Sequence, residues 1–268
     1  MPSDLIIQDL FIYPIKSVGG IRLNEAKVEE RGFEFDRRWM LIDENGKFLS
    51  QRTYPQMALL KVEIEAESLK VFHASYPTDF VQIPFNEKGK ELLSVTVWDD
   101  QMPAQLVNSS LDQWFSNVLG TNVRLVKMPL STERKVDPKY AVNGESVSFA
   151  DGMPYLLIAQ ESLNDLNEKL VTPVPMDRFR PNIVFSGGDA FIEDSWSEIQ
   201  IGEVKMQVVK PCARCVMTTI DQETGIKNAE PLKTLATYRK VGNKILFGQN
   251  VVALSNGTIK VGDKLNIG

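Results

Sequence analysis

This chain of 268 residues has little of several things that would narrow its function quickly. It has one histidine, His73, and two cysteines, Cys212 and Cys215. That is too few soft or imidazole ligands for a closed tetrahedral zinc site or an iron–sulfur cluster, each of which normally takes four protein ligands. No apolar run approaches the roughly 20 residues that span a bilayer. The start, Met1-Pro2-Ser3-Asp4-Leu5, lacks the basic n-region and long apolar stretch of a signal peptide, so none is expected. Basic residues are not in excess: the net charge is −5, which gives no support for a nucleic-acid partner. With 43% hydrophobic and 24% charged residues, the chain can bury a substantial core and is not a disordered polymer. The expected setting is the cytoplasm, with no membrane partner; there a Cys-x-x-Cys pair is reduced, metal-binding or catalytic more often than a structural disulfide.

The hydropathy pattern predicts mostly strands. In the first part, strands are expected at 5–13, 39–42, 58–64 and 94–97, then a helix at 111–119 with Leu111, Trp114, Phe115 and Val118 on one face. Turn signals lie at Val18-Gly19-Gly20, Glu44-Asn45-Gly46-Lys47 and Asn86-Glu87-Lys88-Gly89, and Asn45-Gly46 reads as a type I′ hairpin turn. Short strands at this spacing suggest an antiparallel barrel or sandwich. The polar segment 129–137 reads as a boundary or crossing loop, dividing the chain at 125/126. Beyond it, helices are expected at 160–170 and 231–238, strands at 183–185, 199–201, 204–209 and 259–265, and a tight turn at Gly202-Glu203.

Five short motifs could carry chemistry. The strongest is Pro211-Cys212-Ala213-Arg214-Cys215, in which a guanidinium sits between two thiols. Thiolate is a soft ligand for molybdenum, copper or zinc, and the arginine can bind an anion. Two buried hydrophobes, or a thioredoxin-like redox pair, are the other readings; the late position after a strand argues against thioredoxin. Tyr13-Pro14-Ile15-Lys16-Ser17 offers an ammonium and a hydroxyl to a phosphate, or is a solvated turn. Asp36-Arg37-Arg38-Trp39 offers bidentate anion recognition, or a surface ion pair, and Gln51-Arg52 could converge on the same place. In Met176-Asp177-Arg178-Phe179-Arg180-Pro181-Asn182, Arg180 and Asn182 would share one side of an extended chain, or simply lead into a strand. Asp151 before Gly152 could accept N–H groups of a heterocycle, or form a turn.

Longer stretches carry a resemblance: YPIKS at 13–17, DRRW at 36–39, DGMPYLLIAQESLNDLN at 151–167, RFRPNIVFSGGDAFIEDSWSEIQIG at 178–202, CARCVMTTID at 212–221, FGQN at 247–250 and GTIKVGD at 257–263. In this order they resemble the MOSC superfamily with its N-terminal β-barrel partner, and are similar to the mitochondrial amidoxime-reducing components and their bacterial counterparts. The resemblance implies a mixed α/β, mostly β fold: an N-terminal β-barrel-like domain (1–125) and a C-terminal MOSC β-barrel domain (126–268) with a few flanking helices. It implies a molybdenum cofactor, its metal bound by the catalytic Cys215, with Lys16, Ser17, Arg37, Asp151, Arg180 and Asn182 on pterin and phosphate and Arg214 as a further contact. The implied activity is reduction of N-hydroxylated compounds: hydroxylamines, amidoximes and N-hydroxylated bases. Some bacterial relatives add a four-cysteine ferredoxin domain, and the mitochondrial ones a membrane anchor. Neither is expected here, so electrons would come from a separate protein of ferredoxin, flavodoxin or cytochrome type with its reductase. MOSC domains also handle cofactor sulfur, so a carrier holding a persulfide on a cysteine is the second reading, and an anion-binding module without metal the third.

Overall fold

The computed structural model describes residues 4–86, 89 and 91–268. The expected turn at 86–89 and the reading of the chain start therefore fall partly outside the described residues. The protein is mostly strand, with helices α1 (Ser109–Leu119), α2 (Gln160–Glu168) and α3 (Leu232–Tyr238) on its flanks. None of the described helices is long and apolar enough to cross a membrane.

The main sheet runs in the order Leu265–Ile267, Glu198–Ile201, Val204–Ala213, Lys244–Ala253, Tyr155–Ala159, Ile183–Ser186, Ile6–Ile12 and Ile21–Leu23. Its pairs are antiparallel except Tyr155–Ala159 with Ile183–Ser186, which is parallel and joined through α2, since parallel neighbours need a crossover. The first strand of the chain is thus built into a sheet whose other strands, apart from Ile21–Leu23, come from residues 155–267. Leu10 lies opposite Ile183 and Ile7 opposite Phe185. Their side chains share one core with Leu157, Ile201 and Val251. A four-stranded sheet (Trp39–Ile42, Arg124–Lys127, Asp100–Leu106, Leu92–Val97) and a three-stranded one (Leu60–Ile64, Ser68–His73, Tyr76–Pro84) make most of the N-terminal part. There α1 buries Leu111, Phe115 and Leu119 against Trp39, Leu41 and Leu69. Asn108 caps its first turn and Gly120, at φ 67°, ends it.

Local expectations differ from the structure at a few places. The run 259–265 is two strands, Gly257–Lys260 and Leu265–Ile267, because Gly262 at φ 93° and the Asp263 carboxylate accepting the Lys260 N–H turn the chain between them. Ala58 and Leu59 belong to a 3-10 turn begun by Pro55. Asn45-Gly46 is not a type I′ turn, which needs positive φ at both central residues. Gly46 alone is positive, at 77°, and Asp43 Oδ1 accepts the N–H groups of Asn45 and Lys47 at 2.9 Å each. Gly202-Glu203 does close a two-residue hairpin between Ile201 and Val204.

Gly248 marks a close approach between the strands Lys244–Ala253 and Tyr155–Ala159. It has φ 77°, and a Cβ there would lie 2.7 Å from Ile158 Cγ1 and 2.8 Å from the Leu157 carbonyl oxygen. Gly248→Ala is expected to lower unfolding free energy by about 2–4 kcal/mol through strain and overpacking. A urea titration showing a lower midpoint at unchanged slope checks this.

Candidate functional site

The strand Val204–Ala213 continues through Pro211, past the end expected at 209. Register shifts on either side of Pro211 accommodate a residue with no N–H to donate. Cys212 therefore lies on the strand, and its side chain packs against the Phe179 and Phe247 core. Arg214 Nη1 donates to Cys212 Sγ at 3.0 Å. Cys215 sits just beyond, capping the short 3-10 turn Val216–Thr219, and its carbonyl accepts Thr218 N–H and Oγ1 at 3.1 Å. Both thiols are free and half-buried.

Facing this turn are two loops tied to each other from beneath. The fully buried Asp36 carboxylate accepts the Tyr13 N–H at 2.8 Å and Arg37 Nη1 at 2.7 Å. The guanidiniums of Arg37 and Arg180 both lie over the Tyr13 ring, 4.4 and 4.1 Å from its centroid. Ser17, Arg37 and Arg180 take φ of 65°, 50° and 53°, a left-handed conformation that costs non-glycine residues of order 1–3 kcal/mol each. Arg180 and Asn182 consequently do not share a side by simple alternation in an extended chain, though both reach the same wall. Asn182 is largely committed to the fold: Oδ1 accepts Leu156 N–H and Arg37, and Nδ2 donates to the Phe11 carbonyl.

The third component is Lys16 with Asp151. Lys16, almost fully buried, donates from Nζ to Asp151 Oδ1 and to the Phe149 carbonyl, each at 2.7 Å. Arg134 fixes the 148–151 segment by donating to the Ser148, Ala150 and Asp151 carbonyls. Asp151 Oδ2 also meets Arg52 Nη2 at 3.0 Å, and Arg52 stacks on Trp98 at 4.5 Å. Burial pulls the Lys16 ammonium down to about 8, only partly offset by Asp151. Burial would raise Asp151, but Lys16 and Arg52 outweigh it and hold the carboxyl well below its usual range. Arg52 resists the lowering effect of burial because Asp151 and Cys215 both favour its charge.

Lys16, Ser17, Arg37, Asp151, Arg180, Asn182, Arg214 and Cys215 all line one cavity of about 530 Å³. Sequence reasoning passed over Arg178, which is buried and pairs with Asp221, and Lys210, Lys244 and Tyr140, which also line the cavity. Arg178 stands in the same motif as Arg180, and that proximity was the available signal. Gln51 and Arg52, expected to converge with Arg37, are not among the residues lining this cavity; Arg52 instead pairs with Asp151, and Cys215 favours its charge. His73 lies on the sheet strand Ser68–His73, outside the lining.

Buried donors in this cavity lack acceptors. Arg178 Nε and Nη1, Arg180 Nη2 and Arg214 Nε have no partner among the described residues. Each unmet donor costs about 1–3 kcal/mol, a cost that an anionic ligand accepting from them would relieve. Also among the described residues, no three His, Cys, Asp or Glu side chains gather as a metal site, so a metal at Cys215 would need most of its ligands from a cofactor.

Residues 5–122 match the MOSC N-terminal beta barrel domain, and residues 144–266 match the MOSC domain. The mouse (Mus musculus) mitochondrial amidoxime-reducing component 1 is 34% identical over 96% of this chain and 80% of its own length. This chain belongs to the MOSC-domain family. The rat (Rattus norvegicus) amidoxime reducing component 2 is also 34% identical, over 96% of this chain and 81% of its own length. The rice (Oryza sativa) molybdenum cofactor sulfurase is 32% identical over 92% of this chain, which spans 32% of that protein.

The buried lysine of this MOSC protein gives a pH test. Its ammonium titrates at about 8 when folded and at 10.5 in the reference state, so between these values the unfolded chain binds the extra proton and stability rises with pH. The unfolding free energy of wild type minus that of Lys16→Met is expected to increase from pH 8 to 10.5, as read by denaturant titrations across that window.

Proposed function

We propose that this protein is a molybdenum-cofactor-dependent reductase of N-hydroxylated compounds, supplied with electrons by a separate redox protein. The observation that carries this reading is the meeting of Cys215 with Lys16, Arg37, Arg178 and Arg180 around one cavity, in a chain similar along nearly its full length to amidoxime-reducing components.

The donor set fits the cofactor. The unmet guanidinium donors of Arg178 and Arg180, with Arg37 and the Ser17 hydroxyl, would hold a terminal phosphate. The Asp151 carboxylate, kept ionised by Lys16 and Arg52, would accept N–H groups of the pterin. The Cys215 thiolate is the protein's soft ligand for the metal. When bound, the cofactor supplies the redox chemistry that converts N–OH to N–H and releases water. The protein binds and orients: Asp36 fixes Arg37, Arg134 fixes the Asp151 segment, and the Trp98 ring holds Arg52 against Asp151. Cys212 is turned toward Phe179 and Phe247 and bonded to Arg214, which suits a neighbour better than a ligand.

Electrons are assigned to a separate ferredoxin, flavodoxin or cytochrome-type donor because two cysteines leave no four-thiolate set for an iron–sulfur relay. The cytoplasm, where such thiols stay reduced, is the compartment that goes with this reading. The division near residue 125 is offered as an organisational unit of the chain, with the site drawing on both sides of it.

The similarity to a cofactor sulfurase supports a second reading, a carrier of cofactor sulfur. One experiment separates them. Protein expressed in a cofactor-competent host is expected to hold molybdenum in stoichiometric amount and to reduce benzamidoxime with an artificial reductant. Cys215→Ala is expected to abolish turnover, while Cys212→Ala keeps most of it. A persulfide on Cys212 or Cys215 with no turnover overturns the reductase reading in favour of the carrier.

A further inference from the structure

The reductase reading leaves one need that the chain does not meet by itself. Each turnover, in which N–OH takes two electrons and two protons to give N–H and water, draws both electrons from another protein. Electrons cross only short gaps between proteins, so that donor has to seat close to Cys215. Its docking face must then lie on the surface nearest that residue.

That surface is the hairpin made by Lys240–Val241 and the start of Lys244–Ala253. Ala213 pairs with Leu246, and the Arg214 N–H donates to the Ile245 carbonyl at 2.7 Å. Cys215 and Lys244 are the next residues on the two chains, and both line the cavity together with Leu246. Val241 lies opposite Lys244 in the hairpin, and Lys240 opposite Ile245. Cross-strand partners share a face, and neighbours along a strand alternate. Val241 and Lys244 are therefore on one face of the hairpin and Lys240 is on the other. Every residue from Lys240 to Lys244 is exposed, and Val241 is 64% exposed. Val216, which directly follows Cys215, is exposed as well.

The charge of this hairpin is uncompensated. Arg239, just before it, is paired with Asp194 at 2.6 Å. Lys240 and Lys244 form no ion pair with a described residue within 4 Å. The chain as a whole carries −5, so an acidic protein is repelled by most of it and steered toward local positive patches. Exposed valine beside a free ammonium gives an apolar contact with a charged rim, the make-up of a protein interface. Redox encounters are small, below about 1,200 Å², so a short hairpin can carry much of one.

We propose that the Val241 and Lys244 face of this hairpin, with Val216, is where a small acidic redox protein docks to deliver electrons toward Cys215. The donor's task rests on the reductase reading; the docking face rests on the exposure, register and charge of the hairpin.

The test uses three small acidic donors, a plant-type ferredoxin, a flavodoxin and a cytochrome, each kept reduced by its reductase. Benzamidoxime reduction is measured with each of them and with a viologen dye, which needs no docking face. In the wild type at least one acidic donor is expected to support turnover, with a kcat/KM for the donor that falls as salt is added. Val241→Asp is expected to lower that kcat/KM about tenfold while dye-driven turnover stays unchanged. Lys244→Glu should lower it too, and Lys240→Glu, on the opposite face, should lower it less. A loss in Val241→Asp no larger than that in Lys240→Glu overturns the face. Dye-driven turnover in the wild type with all three acidic donors inactive overturns the acidic partner. Calorimetric binding of the oxidised donors keeps this proposal apart from the reductase reading. Binding to the wild type that Val241→Asp weakens supports the face even where the dye drives no turnover and the reductase reading has failed. No binding to the wild type, or equal binding to Val241→Asp, sinks the face whatever the dye shows.

Discussion

The Asp36 carboxylate is the point on which the site depends. It has no exposure to solvent, and its two oxygens are used for two loops: one accepts the Tyr13 N–H and the other binds Arg37. A buried carboxylate without partners would be expensive, and a buried guanidinium equally so. Together they allow a cation to stand at the floor of a cavity already crowded with cations. Tyr13 adds to this, because its ring lies under both Arg37 and Arg180 and its face attracts positive charge. Repulsion between these arginines is therefore opposed by fixed groups of the fold before any ligand arrives. This is preorganisation: the cost of assembling the charges falls on folding and not on binding.

The same need explains the chain topology. Tyr13, Lys16 and Ser17 follow directly from the strand Ile6–Ile12, and that strand lies in the main sheet beside Ile183–Ser186. Arg180 and Asn182 immediately precede Ile183–Ser186. The two loops are thus adjacent because the strands are paired, although about 170 residues separate them in sequence. Lys16 in turn reaches a segment, 148–151, that Arg134 holds from the connecting loop. Each group that faces Cys215 has a distinct covalent origin and a shared backbone scaffold. Sites built this way are precise because sheet register, not loop flexibility, fixes the spacing.

Much of this was legible as residue type. The Cys-x-x-Cys pair, the lysine after Tyr13, the arginine after Asp36 and the aspartate before Gly152 all stand out as chemistry. The helix at Ser109–Leu119 and the strand at Trp39–Ile42 follow from apolar spacing. What could not be read was conformation and closure. Nothing in the local pattern signals positive φ at Ser17, Arg37 or Arg180, because such strain persists only where tertiary contacts over-determine it. Simple alternation across Pro181 failed for that reason. Proline also misled at residue 211, where a strand continues by shifting register. Arg178 looks like any surface arginine until the fold buries it beside Asp221.

The two cysteines show how placement separates like residues. They are three apart and flank the same arginine, so sequence treats them nearly alike. The strand that carries Cys212 commits its side chain to the Phe179 and Phe247 core, and Arg214 occupies its sulfur. Cys215 lies past the end of the strand, where no ladder constrains the backbone, and it heads a turn that faces the cavity. Its electrostatic neighbour is Arg52, carried from the N-terminal part and steadied by Trp98 and Asp151. A thiol that lines a cavity, with a cation among its electrostatic neighbours, would suit a soft, anionic group. The difference between the two sulfurs is thus set by where one strand stops.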